Sequence, residues 1–328
     1  AIVGSLPART ADASIINKDA ANFLLAKLYL NKAVFTSSTP AGPYTFAAAD
    51  MNKVIEYCNL VAANTNLAID SYYWDNFKWD NGTASSENIF VRKAGGDARA
   101  GNGAGLRWQT SQSWHYNQTP SGWNGFATVA EYYNKFASTD ARAKYSTPAI
   151  ISSIGNPVGF QIGQQYAPGG VTPLNDRNGA PLVFTSALTL ITSGATLETA
   201  GIRGLKYIPD SNNLDAPNND LVLMRHSDAL LMKAEAIARG GSGSVGTIMS
   251  DIAARAGVTA APSTLDGIYA ERGRELWWEG WRRNDMIRFG TFLNARGLKP
   301  YTSSSKYLLF PIPAEALFNS NLSQNPGY

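Results

Sequence analysis

Arg274-Glu275-Leu276-Trp277-Trp278-Glu279-Gly280-Trp281-Arg282-Arg283-Asn284-Asp285-Met286-Ile287-Arg288-Phe289-Gly290 is the stretch from which the fold is read. Leu276, Trp277 and Trp281 recur at helical spacing, as do Trp278 and Trp281, which predicts one broad apolar face. Glu271, Glu275 and Glu279 sit four residues apart and share another face. Like charges at that spacing repel, so the row needs cations opposite it. Arg272, Arg274, Arg282 and Arg283 are the near candidates, and other helices can supply more. A helix with aromatics on one side and carboxylates on another must be sandwiched. It reads as an internal helix of a helical array, with the three tryptophans in the core.

Working outward, the 328 residues suffice for one large domain or two ordinary ones. A chain that is 44% hydrophobic and 16% charged is globular in composition. The formal charge is only +3 and the basic residues are scattered, which speaks against nucleic acid as a partner. A single cysteine, Cys58, excludes an internal disulfide and a cysteine-rich metal site. No apolar run is long enough to span a membrane.

Thr10 or Asp12 can cap a first helix containing Ala20–Leu30, where small and large residues alternate as closely packed helix pairs require. The Thr36–Pro43 stretch ends it, and a second helix runs from about Phe46 to Ala63. From Asn64 to about Ala127 helical period is lost among Gly, Asn, Ser and Trp. Ser86–Val91 reads as a strand, and the glycine-rich Gly95–Gly105 as a mobile loop. A helix resumes near Thr128. Residues 148–215 look irregular, with strands at Val158–Ile162 and Gly204–Ile208. Asn219 or Asp220 caps a helix over Leu221–Arg239, stopped by Gly240-Gly241-Ser242-Gly243. A short helix to Arg255 and one from Thr264 to Phe289, broken around Asn284, complete the scaffold. The tail is extended, with one short helical turn.

Leu223-Met224-Arg225-His226-Ser227-Asp228-Ala229-Leu230-Leu231-Met232-Lys233-Ala234-Glu235-Ala236, the opening stretch, Phe310-Pro311-Ile312-Pro313 and the closing Gln324-Asn325-Pro326-Gly327-Tyr328 together resemble the SusD/RagB family. Ala20–Leu30, Ser86–Phe90, Gly159–Gln165 and Gly201–Tyr207 fit it in the same order, so the likeness covers almost the whole chain. The resemblance implies a mainly α fold: a tetratricopeptide-like helical-repeat array with long irregular loops and a few short strands. Residues 12–63 and 220–290 form the scaffold and 64–219 a loop-rich, aromatic ligand-binding insertion, all within one domain. It also implies a non-enzymatic protein on the outer surface of the outer membrane, which captures oligosaccharide and delivers it to a SusC-like TonB-dependent transporter. The family's lipoprotein signal, anchoring cysteine and long N-terminal helical segment are not in these residues. The chain is therefore read as N-terminally truncated, its membrane link being a lipid anchor outside it. No cofactor is expected, and a structural calcium ion is left open.

The residues themselves offer no catalytic constellation. His115 and His226 are the only histidines; His226 reads as structural, and His115 as a pocket or loop residue. Glu275 and Glu279 could mimic a glycosidase pair, but one helical turn amid arginines favours an ion-pair network. The aromatic insertion is different. Sugars present apolar C–H faces edged by hydroxyls, which suit Trp and Tyr rings flanked by amides and charges. The candidate glycan contacts are Trp74, Trp79, Trp108, Trp114, Tyr116 and Trp123, with Arg107, Asn117 and Gln118 beside them. Trp108→Ala or Trp123→Ala is expected to weaken binding without unfolding. The rival readings are a scaffold that binds peptide or protein, and a glycoside hydrolase.

Overall fold

The computed structural model describes residues 2–94, 112–188, 194–214, 217–318 and 321–328. It is mainly helical. The helices are α1 (Lys18–Phe35), α2 (Ala48–Ala62), α3 (Asn81–Ala84), α4 (Ala130–Tyr133), α5 (Pro148–Ile154), α6 (His226–Ala238), α7 (Ile248–Ala256), α8 (Leu265–Glu275), α9 (Arg282–Arg288) and α10 (Ala314–Leu317). The strands are β1 (Asn88–Arg92), β2 (Lys144–Tyr145), β3 (Val158–Gln161), β4 (Gly163–Gln164), β5 (Val183–Phe184), β6 (Arg203–Leu205) and β7 (Leu221–Arg225).

The scaffold forms where small and large residues interleave. Asn17 caps α1, its side chain accepting from Ala20 N–H at 2.8 Å, in place of the expected Thr10 or Asp12. Ala20, Phe23, Ala26 and Leu30 of α1 meet Met51, Val54, Cys58 and Val61 of α2. Ala229, Met232 and Ala236 of α6 close that core. The other side of α6 presents Leu231 and Ala234 to Ile248, Met249 and Ile252 of α7 and Ile268 of α8. Helix α6 is thus covered on both sides, as the central member of a layered array must be.

Two expectations are corrected. Leu221–Arg225 is not the first turn of a helix but a strand, paired antiparallel with β1 through Asn88↔Arg225 and Val91↔Val222. Its Val- and Leu-rich sequence suits either state, and a partner strand decides. Asn219 therefore caps nothing; its amide donates to the carbonyls of Phe77 at 2.9 Å and Ile208 at 2.8 Å.

The second concerns the opening stretch. Its helix breaks at Leu276–Trp281, not around Asn284. Trp278 sits at φ 60° and Gly280 at φ 83°, left-handed values that reverse the chain. For a bulky residue such as Trp278 that conformation costs about 1–2 kcal/mol. Burial of the neighbouring indole offsets it. Trp277 is buried, its ring 4.6 Å from Phe160 and 6.3 Å from Trp74. A Cβ on Gly204 would come within 3.3 Å of both Trp277 and Trp278, so the bare backbone of β6 is what admits them. Of the three tryptophans only Trp277 is core. Trp278 is 40% exposed, and Trp281 is half-buried with the Lys27 ammonium 3.3 Å above its ring.

The loop-rich region has a core of its own. Tyr73, Trp74, Phe77, Trp114, Phe160, Ile202, Leu205 and Trp277 pack together beside the array. Strands β2, β3 and β6 form a small sheet within it, and β4 pairs with β5.

A buried ionic layer joins the two regions. Arg225 donates to Glu87 (2.6 Å), Glu275 (2.9 Å) and both oxygens of Glu279 (2.8 Å each). Arg142 bridges Asp140, Glu271 and Glu275; Arg255 contacts Glu87 and Glu275; Lys206 reaches Glu279 at 3.0 Å. The Glu row is the ion-pair network expected, yet most of its cations come from distant elements. Arg274 alone of the near candidates joins it, at Glu271. Arg272 turns the other way, to Asp228 and Asp285. Arg282 lies over the Tyr269 ring and Arg283 over Phe310.

Candidate functional site: an anchored aromatic hairpin

Residues 112–125 double back on themselves. Asn124 N–H donates to the Trp114 carbonyl at 2.6 Å and Gly122 N–H to that of His115 at 3.3 Å. Asn124 takes φ 53°, which asparagine tolerates well among non-glycine residues. The hairpin is pinned from below. His115 is fully buried; its Nδ1 accepts Asn117 N–H at 3.1 Å, so Nε2 carries the proton and donates to Glu198 at 2.7 Å. Asn124 donates to the Glu198 carbonyl at 2.8 Å and accepts from Arg203 at 2.9 Å. Arg203 is buried and also binds the carbonyls of Ala200 and Glu198.

Burial pushes the His115 imidazole down, and the Glu198 hydrogen bond only partly offsets it. Burial pushes the Glu198 carboxyl up, but hydrogen bonds from the Arg177 backbone, His115 and the Arg177 side chain more than offset this and hold it below the usual range. The site therefore has a neutral imidazole over a charged carboxylate.

Above this base the hairpin exposes rings. Tyr116 is 37% exposed and lies against the Arg177 guanidinium, 4.5 Å from its ring centre; Trp123 is 46% exposed. Asn117 is exposed and donates to the Asn175 carbonyl at 2.8 Å. Two aromatic surfaces and an amide are thus displayed on one braced loop, with the Arg177 guanidinium of a neighbouring segment against Tyr116. Arrangements of this kind let a ring stack on a sugar face while polar groups orient its hydroxyls.

The other candidates separate from them. Trp74 and Trp114 are buried and present no ring to a ligand. Trp74 donates to the Ala141 carbonyl at 2.7 Å and stacks on Tyr145, while Trp114 sits in the same core. Gln118 is buried too, its amide shared between Gln161 and Gln165 at 3.1 Å each. Trp114 and Gln118 seat the hairpin on its base, and Trp74 fills the adjoining core, roles that aromatic or amide identity alone does not reveal. Trp79 is exposed but lines a separate pocket of about 230 Å3 with Tyr145, Ile150, Ile154 and Ile208. Trp108 and Arg107, with the Gly95–Gly105 loop, lie outside the described residues.

Sequence reasoning missed Glu198, Arg203 and Arg177. Arg203 stood within the quoted Gly201–Tyr207 segment, but Glu198 lay in chain that read only as irregular. His226 is buried and held neutral by burial, as a structural residue, though its Nδ1 has no partner among the described residues. Glu275 and Glu279 are enclosed by cations and cannot act as an acid and nucleophile pair. Among the described residues no cluster of His, Cys, Asp or Glu is placed to hold a metal ion, and no helix is long and apolar enough to cross a membrane.

Comparison with known proteins agrees with this architecture. A sequence model of the SusD family matches residues 182–308. The starch-binding protein SusD of Bacteroides thetaiotaomicron is 26% identical over 94% of this chain and 60% of its own length. This chain therefore spans about 60% of that relative. Among solved structures, a SusD superfamily protein from Parabacteroides distasonis superposes with a TM-score of 0.68 at 18% identity, over 98% of this chain and 65% of the other. Surface glycan-binding protein A from Bacteroides thetaiotaomicron, solved with laminarihexaose, gives 0.64 at 21% identity, over 98% and 67%. Over residues 182–308 this chain is thus similar in sequence to the SusD family, and it shares its helical fold with SusD superfamily proteins.

Proposed function

We propose that this chain binds oligosaccharide without cleaving it, on the hairpin surface formed by Tyr116, Asn117 and Trp123 beside Arg177. The observation that carries the reading is that these two rings stay exposed although their loop is pinned by buried polar groups. A braced, exposed aromatic loses little conformational freedom on binding, which is what a weakly hydrophobic ligand requires. The relatives support the ligand class, one being a starch-binding protein and another having been solved with laminarihexaose. Affinity is modest, because water competes for every sugar hydroxyl.

In this reading the protein works at the outer surface of the outer membrane, lipid-anchored, and passes its ligand to a SusC-like TonB-dependent transporter. Calorimetry with maltooligosaccharides and laminarihexaose tests the binding step. Co-purification with the transporter from native membranes tests the delivery step, and its failure removes delivery while leaving binding intact.

A further inference from the structure

Arg272, Arg274 and Arg288 each face a carboxylate within ion-pair distance. Among the described residues neither Arg282 nor Arg283 faces a carboxylate, and Arg283 gives its Nη2 to the Tyr307 and Leu308 carbonyls. Arg282 is half-buried. Its one side-chain hydrogen bond among the described residues is from Nη1 to the Tyr269 carbonyl at 2.9 Å. It is nevertheless held in place, with Cζ 3.8 Å from the Tyr269 ring centre. Tyr269 is itself fixed by a 2.6 Å hydroxyl contact with Thr291 and by stacking on Phe289 at 4.5 Å. The guanidinium is therefore positioned, and its remaining N–H donors have no hydrogen-bond partner among the described residues.

Those donors border a cavity of about 350 Å3, lined in part by Glu131, Tyr132, Lys135, Tyr269, Arg282 and Arg296. That volume falls in the roughly 300–1,000 Å3 range of small-ligand sites. Lys135 is exposed, and its ammonium has no hydrogen-bond or ion-pair partner among the described residues. The Arg296 guanidinium makes a long 3.4 Å bond to the Phe292 carbonyl and a 3.9 Å contact with the Met286 sulfur, and among the described residues it meets no carboxylate. The lining thus carries three cations against one carboxylate, Glu131, and no pair among them is within ion-pair distance. A cleft with such a surplus concentrates anions. A guanidinium fork matches a carboxylate by two parallel hydrogen bonds, a match that a neutral hydroxyl cannot make. Tyr132, half-buried, supplies an aromatic wall for the ring that carries the acid.

We propose that this cavity is an anion-selective subsite that takes the carboxylate of a uronic-acid unit in an oligosaccharide, with Arg282 as the orienting cation and Lys135 as the second. The proposal rests on the glycan-binding reading and adds a charge preference at a second location.

Calorimetric titration with oligogalacturonate, its methyl ester, a neutral oligosaccharide of equal length and a short peptide with a free C-terminus tests it, using wild type, Arg282→Gln and Lys135→Gln. The expected result is an acid-over-ester preference of about tenfold or more in wild type, as one charge-assisted pair supplies. Arg282→Gln abolishes that preference and Lys135→Gln reduces it; the unpartnered Lys135 side chain makes the second variant safe for folding. Added salt weakens the acid and not the ester. Equal affinity for acid and ester, or a preference unchanged in both variants, overturns the proposal. So does binding of the peptide with none of oligogalacturonate. If neutral glycans bind and the acid form gains nothing, this subsite alone fails; if no glycan binds at all, the functional reading fails with it.

Discussion

Arg225 faces Glu279 side-on, with Nε and Nη2 each 2.8 Å from a separate carboxylate oxygen. One residue ends a strand, and the other lies in the break between two helices. Their pairing holds the array and the loop region in fixed relation, because Glu87 and Glu275 meet the same guanidinium. Burying charge is costly, and removing one partner leaves the rest uncompensated. Arg225→Met is expected to lower the unfolding free energy by about 3–5 kcal/mol. Urea denaturation measures this, and a loss below about 1 kcal/mol would contradict the network's role.

The same layer gives an acid limb to stability. Burial pushes the carboxyls of Glu87, Asp228, Glu235 and Glu275 up, but the arginines and lysine around them more than offset it and hold all four below their ordinary values. Depressed carboxylates stabilise the fold above their unfolded values, near pH 4, and that contribution is lost as pH falls through the lower folded values. The unfolding free energy should therefore drop steeply below pH 4. A pH series of denaturation curves checks it; a fold equally stable at pH 2 and pH 5 would not fit.

Trp114 and Trp123 separate core from surface within one hairpin. Trp114→Ala removes a fully buried indole and should cost about 3–5 kcal/mol in stability. Trp123→Ala removes a 46% exposed ring and should leave the melting temperature nearly unchanged while weakening glycan binding. Melting and binding measured on both variants test the division, and reversed effects would reject it.

Much of the scaffold is legible in the sequence, because helices declare themselves by period. The alternation in Ala20–Leu30 and the spacing of Met51, Val54, Cys58 and Val61 lead to the observed packing of α1 on α2. What was not legible depends on partners remote in the chain. Leu221–Arg225 becomes a strand only because β1 lies beside it. The break at Trp278 exists because Phe160 and Gly204 accept Trp277. In the insertion the composition announces aromatics, but burial decides which of them face solvent, and nothing local distinguishes Trp114 from Trp123. The polar base of Glu198 and Arg203 leaves no local signal either.

The base also makes the hairpin sensitive to pH. The Nδ1 of His115 accepts Asn117 N–H, so protonation would set two donors against each other. Burial lowers this histidine from the ordinary 6.5, so the folded state binds fewer protons than the unfolded one just below that pH. Stability of the hairpin is therefore complete above pH 6.5 and declines as pH falls from there toward the folded value. Glycan affinity should fall as pH drops below the ordinary histidine value toward the lower folded one, and His115→Gln should flatten the profile. An affinity independent of pH in wild type would contradict the assigned tautomer.

The most direct test of the account is the affinity of the wild-type chain and of Trp123→Ala for laminarihexaose and maltooligosaccharides, measured by calorimetry. The account predicts saturable binding of at least one by the wild type and a loss of about tenfold or more in the variant, about 1.4 kcal/mol, at unchanged melting temperature. No binding of any oligosaccharide by the folded wild type, or equal binding by the variant, would contradict it.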